Sequence, residues 1–262
     1  MTLKFCANLS FMYHESASLL ERYHLAKQSG FRAVECAFPY SFPVEEVKRA
    51  KESAQVEQVL LNVNPGDLEK GELGFAALPG QQDRFRSSLD QAILYSKALD
   101  CKLIHIMAGK VTSPSEENIR VYEENLIYAS SLLKENNIVG VIEPINSISI
   151  PGYYLNSYRK ALQIVKNINS PNIKLLADLF HWQMMKVNLV DSFRESVDYI
   201  GHVQIAQAPH RNEPDTEGEI DFKAIFSFLE SQKYNGWIGL EYKPLTNTQF
   251  GLKWIVGMGY SL

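Results

Sequence analysis

Four consecutive apolar segments in the second half of the chain each carry a polar side chain at or next to their ends. These side chains are Glu143, Asp178, Gln204 and Glu241. Parallel strands of a barrel present their carboxyl ends on one face, so we expect the four side chains to converge there. Three carboxylates held together in a half-buried site repel one another, and unpaired buried charge is costly. A positive group is therefore expected among them.

A divalent metal ion is the positive group that these residues predict. All four candidate ligands, Glu143, Asp178, Gln204 and Glu241, offer oxygen, and none of them is a thiolate or an imidazole. Oxygen ligands favour a hard ion such as Mg²⁺ or Mn²⁺ over Zn²⁺. For any one of these acids, a salt-bridged carboxylate near a strand end is the simpler explanation. Four in succession, each at the same end of its strand, favour the metal site.

The chain as a whole alternates short apolar runs with helical patterns. Runs typical of strands occupy residues 3–9, 33–38, 58–63, 102–107, 138–143, 173–178, 200–205 and 237–242. Apolar spacings of three and four predict helices over 16–29, 44–54, 81–99, 115–136, 157–167, 189–196, 221–232 and 248–258. The strands are apolar on both faces, as in a buried parallel sheet. The pattern predicts an α/β fold, a single-domain (β/α)₈ TIM barrel, for which 262 residues are sufficient.

An open, doubly wound sheet is the competing architecture. Such a sheet usually carries a Gly-rich turn after its first strand, whereas residues 8–12 contain no glycine. The one long irregular segment, residues 64–80, is rich in glycine and proline. Loops of that length inside a compact domain are usually functional or disordered, and this one follows the third strand. We predict that it lies over the mouth of the barrel as a lid that moves or becomes ordered when ligand binds.

The composition excludes several classes of protein. With 45% apolar and 21% charged residues, the chain has the composition of a folded globular protein. Its 26 basic and 30 acidic residues are interspersed, and without a basic stripe a nucleic-acid partner is not expected. Three cysteines cannot form a complete disulfide framework, which favours a reducing compartment. Neither a signal-peptide pattern nor a long apolar run is present, so we expect a cytoplasmic protein without a membrane partner. The oligomeric state is not indicated.

Together with His181, the strand-end series resembles the xylose-isomerase-like barrel superfamily. Motifs along nearly the whole chain are similar to those of the hydroxypyruvate isomerase family within it. They are Asn62-Val63-Asn64-Pro65-Gly66-Asp67, Gly71-Glu72-Leu73-Gly74, Ala77-Leu78-Pro79-Gly80, His105-Ile106-Met107-Ala108-Gly109, Glu143-Pro144-Ile145-Asn146, Phe180-His181-Trp182-Gln183, His202-Val203-Gln204-Ile205-Ala206 and Gly239-Leu240-Glu241-Tyr242-Lys243-Pro244. Ketose 3-epimerases of the superfamily commonly carry histidine where this chain has Gln204, so the amide favours the hydroxypyruvate isomerase branch.

The resemblance implies an isomerase that interconverts hydroxypyruvate and tartronate semialdehyde. These compounds differ by one proton moved between adjacent carbons, so the intermediate is an enediol or enediolate. The resemblance assigns Glu143 and Glu241 as the acid/base pair, with the metal stabilising the developing oxyanion. A 2-oxo-tetronate isomerase and a ketose 3-epimerase are the enzymatic rivals. An abasic-site endonuclease is expected to have His-rich metal positions and a basic groove, whereas this chain has six histidines and a formal charge of −4. A binding module without catalysis is the last alternative, against which the complete ligand set argues.

The substrate carboxylate needs a cation at the mouth. Arg211, after the seventh strand, and Lys243, after the eighth, are the nearest candidates, and an arginine fork holds a carboxylate through two hydrogen bonds. The alternative for Arg211 is an ion pair with Glu213 or Asp215 in a polar loop.

Three further polar residues of the strands and strand ends are less specific. His181 is a candidate donor to a substrate oxygen. His105 is a second candidate substrate contact, although a hydrogen-bonded wall residue is the simpler explanation for it. Glu35, in the second strand, would either point into the barrel as a partner of the site or pair with a basic residue of a neighbouring layer, and no catalytic role is assigned to it.

Overall fold

Eight parallel strands close into a barrel in the computed structural model, which describes residues 2–262. Each strand is hydrogen-bonded to the next along the chain, and the last pairs with the first. The strands are β1 (Lys4–Asn8), β2 (Ala33–Cys36), β3 (Glu57–Asn62), β4 (Leu103–His105), β5 (Val139–Ile142), β6 (Ile173–Asp178), β7 (Ile200–Ile205) and β8 (Trp237–Leu240). Every predicted run overlaps one strand, and the closed barrel confirms the predicted fold class.

Helices follow the strands and form the outer layer. They are α1 (Leu19–Gln28), α2 (Val44–Ala54), α3 (Gln82–Leu99), α4 (Glu116–Glu135), α5 (Tyr158–Ile168), α6 (Leu179–Met184), α7 (Leu189–Ser196), α8 (Phe222–Ser231), α9 (Thr248–Gly251) and α10 (Lys253–Gly257). Short 3₁₀ helices occupy Leu68–Lys70 and Val197–Tyr199. Within residues 2–262, none of the helices combines the length and the apolar character that crossing a membrane requires.

The structure differs from the predicted helices at two places. Helix α6 was not predicted, because six residues are too few for a periodic pattern. It begins after Asp178, whose carboxylate accepts hydrogen bonds from the N–H groups of Phe180 and His181, as an N-cap residue does. The helix predicted over 248–258 is broken at Leu252 into α9 and α10. The break follows Gly251, and glycine is a poor helix former. A side chain at this position would overlap the Glu213 carboxylate.

The hydrophobic pattern explains why the layers assemble. Strand β1 is buried from Phe5 to Asn8, because inward residues fill the barrel and outward residues contact helices. Helix α5 buries only one face and begins at Ser157, whose hydroxyl accepts a hydrogen bond from the Lys160 N–H. At the other end of a helix, Gly30 follows α1 with a φ of 101°, a conformation suited to glycine, as expected for a residue that ends a helix.

The predicted lid, residues 64–80, starts from the carboxyl end of β3 and packs against the segment that follows β4. Residues 74–77 in its second half are buried and anchored: Gly74 forms an antiparallel bridge with Ala108, and the Ala77 N–H donates to the Ala108 carbonyl at 2.8 Å. The side-chain amides of Asn118 and Asn125 also donate to carbonyls of this half. Residues 68–70 are exposed, so a lid movement is predicted for the part before Gly74 only.

Candidate active site

The barrel places the four predicted metal ligands on one face. Asp178 is the last residue of β6 and pairs in register with Gln204 of β7. Glu143 and Glu241 directly follow the ends of β5 and β8. Because all strands are parallel, these positions lie together at the carboxyl ends of four neighbouring strands. The fold therefore converts four separated sequence positions into one cluster.

A small cavity of about 20 Å³ lies inside this end of the barrel, which is room for about one water molecule. It is lined by Asn8, Glu35, Cys36, Ala37, Leu60, Asn62, His105, Glu143, Gln204 and Glu241. Larger cavities lie elsewhere, including one of about 560 Å³ beside α5 and α7, but three of the four predicted ligands, Glu143, Gln204 and Glu241, line the small one. The chemistry of the lining, rather than the volume, identifies the candidate active site.

Three oxygen atoms at this site are buried and accept no hydrogen bond from residues 2–262. They are Oε1 of Glu143, Oε1 of Gln204 and Oε2 of Glu241. An unsatisfied buried acceptor costs about 1–3 kcal/mol, and contact with a cation removes that cost. Asp178 differs, since Oδ1 accepts from the Phe180 N–H at 2.8 Å and Oδ2 contacts Arg211.

The Arg211 guanidinium lies among the carboxylates. Its Nη2 is 2.9 Å from Asp178 Oδ2 and 3.2 Å from Glu241 Oε1. The group is stacked between two aromatic rings, with Cζ 4.7 Å from the centre of Phe11 and 4.6 Å from that of Phe180. The alternative that Arg211 pairs with Glu213 or Asp215 is therefore wrong, because its side chain turns inward and contacts Asp178 and Glu241 instead.

The backbone at Arg211 is held in an unusual conformation. Its φ is 60°, a left-handed value that costs a non-glycine residue on the order of 1 kcal/mol. Two hydrogen bonds of 2.7 Å fix the position, from the Arg211 N–H to the Gln207 carbonyl and from the Lys243 N–H to the Arg211 carbonyl. The loops after β7 and β8 thus aim the guanidinium into the site.

Burial and mutual repulsion raise the pKa values of the acids. Burial, then repulsion from Glu241 and Asp178, raises the pKa of Glu143 well above its ordinary value. Burial raises the pKa of Glu241 to about 8 although Arg211 opposes the shift, and the pKa of Asp178 is raised in the same way. Burial disfavours the charge of Arg211, but the three acids outweigh it and raise its pKa. These shifts favour the protonated forms of the acids, and further positive charge would favour the ionised forms.

His181 and His105 face Glu143 as neutral rings. The Asn146 N–H lies 3.3 Å from His181 Nδ1 and Arg211 Nη1 lies 3.1 Å from His181 Nε2, so each ring nitrogen faces an N–H donor, and Nε2 is also 3.5 Å from Glu143 Oε1. The Nδ1 of His105 is 3.6 Å from Glu143 Oε2, and its Nε2 is buried without a partner in the described chain. Burial lowers the pKa of His105 to about 3 and, together with Arg211, lowers that of His181 well below its ordinary value.

Lys243 is not brought into this cluster. Its side chain is exposed, it does not line the cavity, and its carbonyl accepts from the Asn212 amide at 2.8 Å. The structure thus separates the two candidate cations. Arg211 lies at the acids, and Lys243 lies at the surface.

Glu35 is a residue of the site that sequence reasoning left without a role. It points into the barrel, where its carboxylate contacts the Asn8 amide at 2.8 Å, the His202 ring at 2.6 Å and the Gln204 amide at 2.7 Å. The alternative that it pairs with a basic residue of a neighbouring layer is wrong. A charged residue in the otherwise apolar run Ala33–Cys36 was the available signal.

These side chains fit a hard divalent cation. Three carboxylates against one guanidinium leave two negative charges when all are ionised, and three buried oxygen atoms lack donors. The set contains no thiolate that would favour a softer ion. Glu143, Asp178 and His181 also offer atoms within 4.8 Å of one another, so a nitrogen ligand is available beside the oxygens.

Comparison with known proteins agrees with this geometry. A family model described as a xylose isomerase-like TIM barrel matches residues 23–257. The chain is 41% identical to a hydroxypyruvate isomerase of Escherichia coli (strain K12), over 97% of this chain and 98% of that protein. It is 37% identical to a 2-oxo-tetronate isomerase of Cupriavidus necator, over 96% and 97% of the two chains.

A solved structure shows the same fold. The crystal structure of a protein titled AP endonuclease, family 2, from Brucella melitensis superposes with a TM-score of 0.94. It is 39% identical in sequence, and the match covers 98% of this chain and 99% of that one.

Proposed function

Since the chain belongs to the hydroxypyruvate isomerase family of xylose isomerase-like TIM barrels, we propose that it interconverts hydroxypyruvate and tartronate semialdehyde. The observation that carries the proposal is the pair of glutamates, Glu143 and Glu241, whose pKa values are raised and whose inward oxygen atoms lack hydrogen-bond donors in the described chain.

The reaction rearranges atoms within one molecule. A base removes a proton from the hydroxymethyl carbon of hydroxypyruvate, and the electron pair of that C–H bond forms the double bond of an enediolate. A proton is then added to the neighbouring carbon, while the hydroxyl proton passes from one oxygen to the other. The product, tartronate semialdehyde, has the same atoms and the same oxidation level, so no redox cofactor is consumed.

Glu143 and Glu241 are the groups that hold and move the carbon-bound proton. A carboxyl with a pKa of about 8, as at Glu241, exchanges protons readily near neutral pH. One glutamate takes the proton from carbon, and the other returns a proton to the adjacent carbon. General acid–base catalysis of this kind contributes about 10²–10⁴-fold to the rate.

Arg211 and the two histidines orient the substrate. Arg211 supplies the positive charge that faces the substrate carboxylate, and the rings of Phe11 and Phe180 restrict its movement. The neutral ring of His181 faces a substrate oxygen, and His105 provides a second ring on the same wall. Lys243, which is exposed, is a cation at the rim that could meet the anion on entry.

A divalent ion, Mg²⁺ or Mn²⁺, is the proposed cofactor. Glu143, Asp178, Gln204 and Glu241 would hold it, and it would act as a Lewis acid that stabilises negative charge on the substrate oxygens. The unpaired oxygens of three of these residues support the assignment. Asp178 would exchange part of its contact with Arg211 for the ion.

The test is a comparison of substrates after metal removal and replacement. We expect little turnover in EDTA, and recovery with Mg²⁺ or Mn²⁺ on hydroxypyruvate at a kcat/KM well above that for a ketohexose. A site that pairs buried donors with an anion rejects a neutral analogue by orders of magnitude. A preference for the ketohexose would contradict the proposal, as would cleavage of DNA at an abasic site without isomerase activity.

A 2-oxo-tetronate isomerase is the second candidate, favoured by the Cupriavidus necator relative. Its substrate keeps the carboxylate and the enediolate chemistry but is one carbon longer, so the same assay with 2-oxo-tetronate separates the two. We also propose a cytoplasmic location, which three buried, unpaired cysteines support because reducing compartments keep thiols free.

A further inference from the structure

We propose that Glu35 is a positioning residue that fixes the orientation of the Gln204 amide, so that its oxygen and not its nitrogen faces the catalytic cation. The proposal rests on the proposed function in one respect, namely that Gln204 contributes a ligand to that cation. Glu35 itself is not one of the residues whose buried oxygen atoms lack a hydrogen-bond donor.

The Glu35 carboxylate is an acceptor surrounded by donors. Oε1 accepts from the Asn8 amide at 2.8 Å and from the Gln204 amide at 2.7 Å. Oε2 lies 2.6 Å from His202 Nε2 and 3.8 Å from the Cys6 thiol. An ionised carboxylate can only accept, so every polar group that faces it must present hydrogen.

This requirement decides which end of the Gln204 amide turns inward. The two ends of an amide have nearly the same shape, so packing alone does not distinguish them. Because Nε2 donates to Glu35, Oε1 points away from it, and this oxygen is buried without a donor from residues 2–262. Turned the other way, the amide would set its oxygen against a carboxylate and its NH₂ group against a cation.

The barrel contains a built space for the Glu35 side chain. Glu35 is 1% exposed and pairs in register with Asn8 of β1, while Gln204 belongs to β7 and pairs with Gly239 of β8. A methyl group at Gly239 would overlap the Glu35 carboxylate, so glycine is required there. The carboxylate thus crosses the barrel interior from β2 to reach β7.

The outer contacts of Glu35 keep it in place. The Asn8 amide that donates to it is itself oriented, since Asn8 Oδ1 accepts from the Ser10 N–H at 3.0 Å. The chain of contacts runs from that backbone N–H through Asn8 and Glu35 to Gln204. Partners of this kind, which orient a ligand without touching the ion, commonly contribute 10–100-fold to metal affinity.

Mn²⁺ binding to four proteins tests the proposal: the wild type, Glu35→Gln, Gln204→Glu and the double variant. Free Mn²⁺ is measured by electron paramagnetic resonance without substrate. With Gln204 present, Glu35→Gln allows both amide orientations, and we expect the Kd for Mn²⁺ to rise by about 10–100-fold. A glutamate at position 204 has oxygen at both ends, so in that background Glu35→Gln should leave the Kd unchanged or lower it.

A purely electrostatic role of Glu35 gives a different pattern. If its charge alone attracted the ion, removal would weaken binding by the same factor in both backgrounds, and that result would overturn the proposal. An unchanged Kd for Glu35→Gln with Gln204 present would overturn it too. Glu213→Gln removes another buried carboxylate, one that accepts from the Leu245 N–H, and should change the Kd by no more than about 2-fold.

A structure of the wild type with Mn²⁺ keeps the proposal testable if a variant does not fold. We expect Gln204 Oε1 on the order of 2.2 Å from the ion while Nε2 remains hydrogen-bonded to Glu35. Release of Nε2 from Glu35, or an ion held without Oε1, would contradict it. Because no substrate is used, a failure here is distinct from a failure of the isomerase assay.

Discussion

Replacing Arg211 by methionine should destabilise the protein strongly when divalent ions are removed. The guanidinium is 2.9 Å from Asp178 and 3.2 Å from Glu241, and its side chain is 13% exposed. At an effective dielectric constant of about 20, each attraction is worth about 5–6 kcal/mol before the cost of desolvation. Removing one partner of a buried ion pair typically costs about 3–5 kcal/mol, which is the loss we expect. Methionine keeps an unbranched chain between the rings of Phe11 and Phe180, so the change isolates the charge.

The loss should depend on pH in a defined direction. Burial raises the pKa of Glu241 to about 8, above its ordinary value of 4.5, and without Arg211 that pKa rises further. A carboxyl with a raised pKa in the folded state holds more protons than in the unfolded state, so stability falls as pH rises through this interval. As pH falls below the ordinary carboxyl pKa values of about 4, the acids become neutral in both states, and Arg211 contributes less. The difference in the free energy of unfolding between the wild type and Arg211→Met should therefore be larger at pH 8 than at pH 5.

Urea unfolding in EDTA at pH 5 and pH 8, followed by circular dichroism, measures this effect. Mg²⁺ should restore part of the lost stability, since an ion present at 100 times its Kd adds about 2.7 kcal/mol to the free energy of unfolding. Arg194→Met is the matched control, because that arginine is exposed and lies 3.6 Å from Asp191, and its loss should be within about 0.5 kcal/mol. Equal stability of Arg211→Met and the wild type at pH 8, or an equal loss at both pH values, would refute the electrostatic reasoning.

Three more predictions concern the acids and the segment beside them. Glu143→Gln and Glu241→Gln should each lower kcat on hydroxypyruvate by at least about 10²-fold while the circular dichroism spectrum is retained, and near-normal turnover would remove that glutamate from the mechanism. The free energy of unfolding of the metal-free wild type should fall by up to about 1.4 kcal/mol per pH unit for Glu241 between pH 4.5 and 8, and added Mg²⁺ should reduce that slope; a flat profile in EDTA would be inconsistent with the raised pKa. Gly74→Ala should lower the melting temperature more than Gly80→Ala. A methyl group at Gly74, where φ is 92°, would overlap the Met107 carbonyl, whereas no atom lies within 4 Å of one at Gly80. Equal effects would argue against the anchoring of residues 74–77.

Local pattern alone was enough to predict the barrel and the position of its acids. Short apolar runs and helical spacing are properties of neighbouring residues, and eight alternating pairs leave few ways to bury both faces of the strands. A residue at the carboxyl end of such a strand must lie at the mouth, wherever its partners fall in sequence. For that reason the amino-acid sequence is sufficient to group Glu143, Asp178, Gln204 and Glu241.

The partners of Arg211 and Glu35 follow from the closed barrel and not from the local sequence. Arg211 lies in a loop with a left-handed φ, and its acidic neighbours in sequence, Glu213 and Asp215, were plausible partners. Its actual partner Asp178 is 33 residues away along the chain, and Glu35 meets Gln204 across 169 residues. Local spacing cannot encode such pairs, because they depend on the closure of the barrel and on which side chains fit across its interior. Closure of the barrel buries the acids. It also places the Arg211 guanidinium beside Asp178 and Glu241, and the Glu35 carboxylate beside the Gln204 amide.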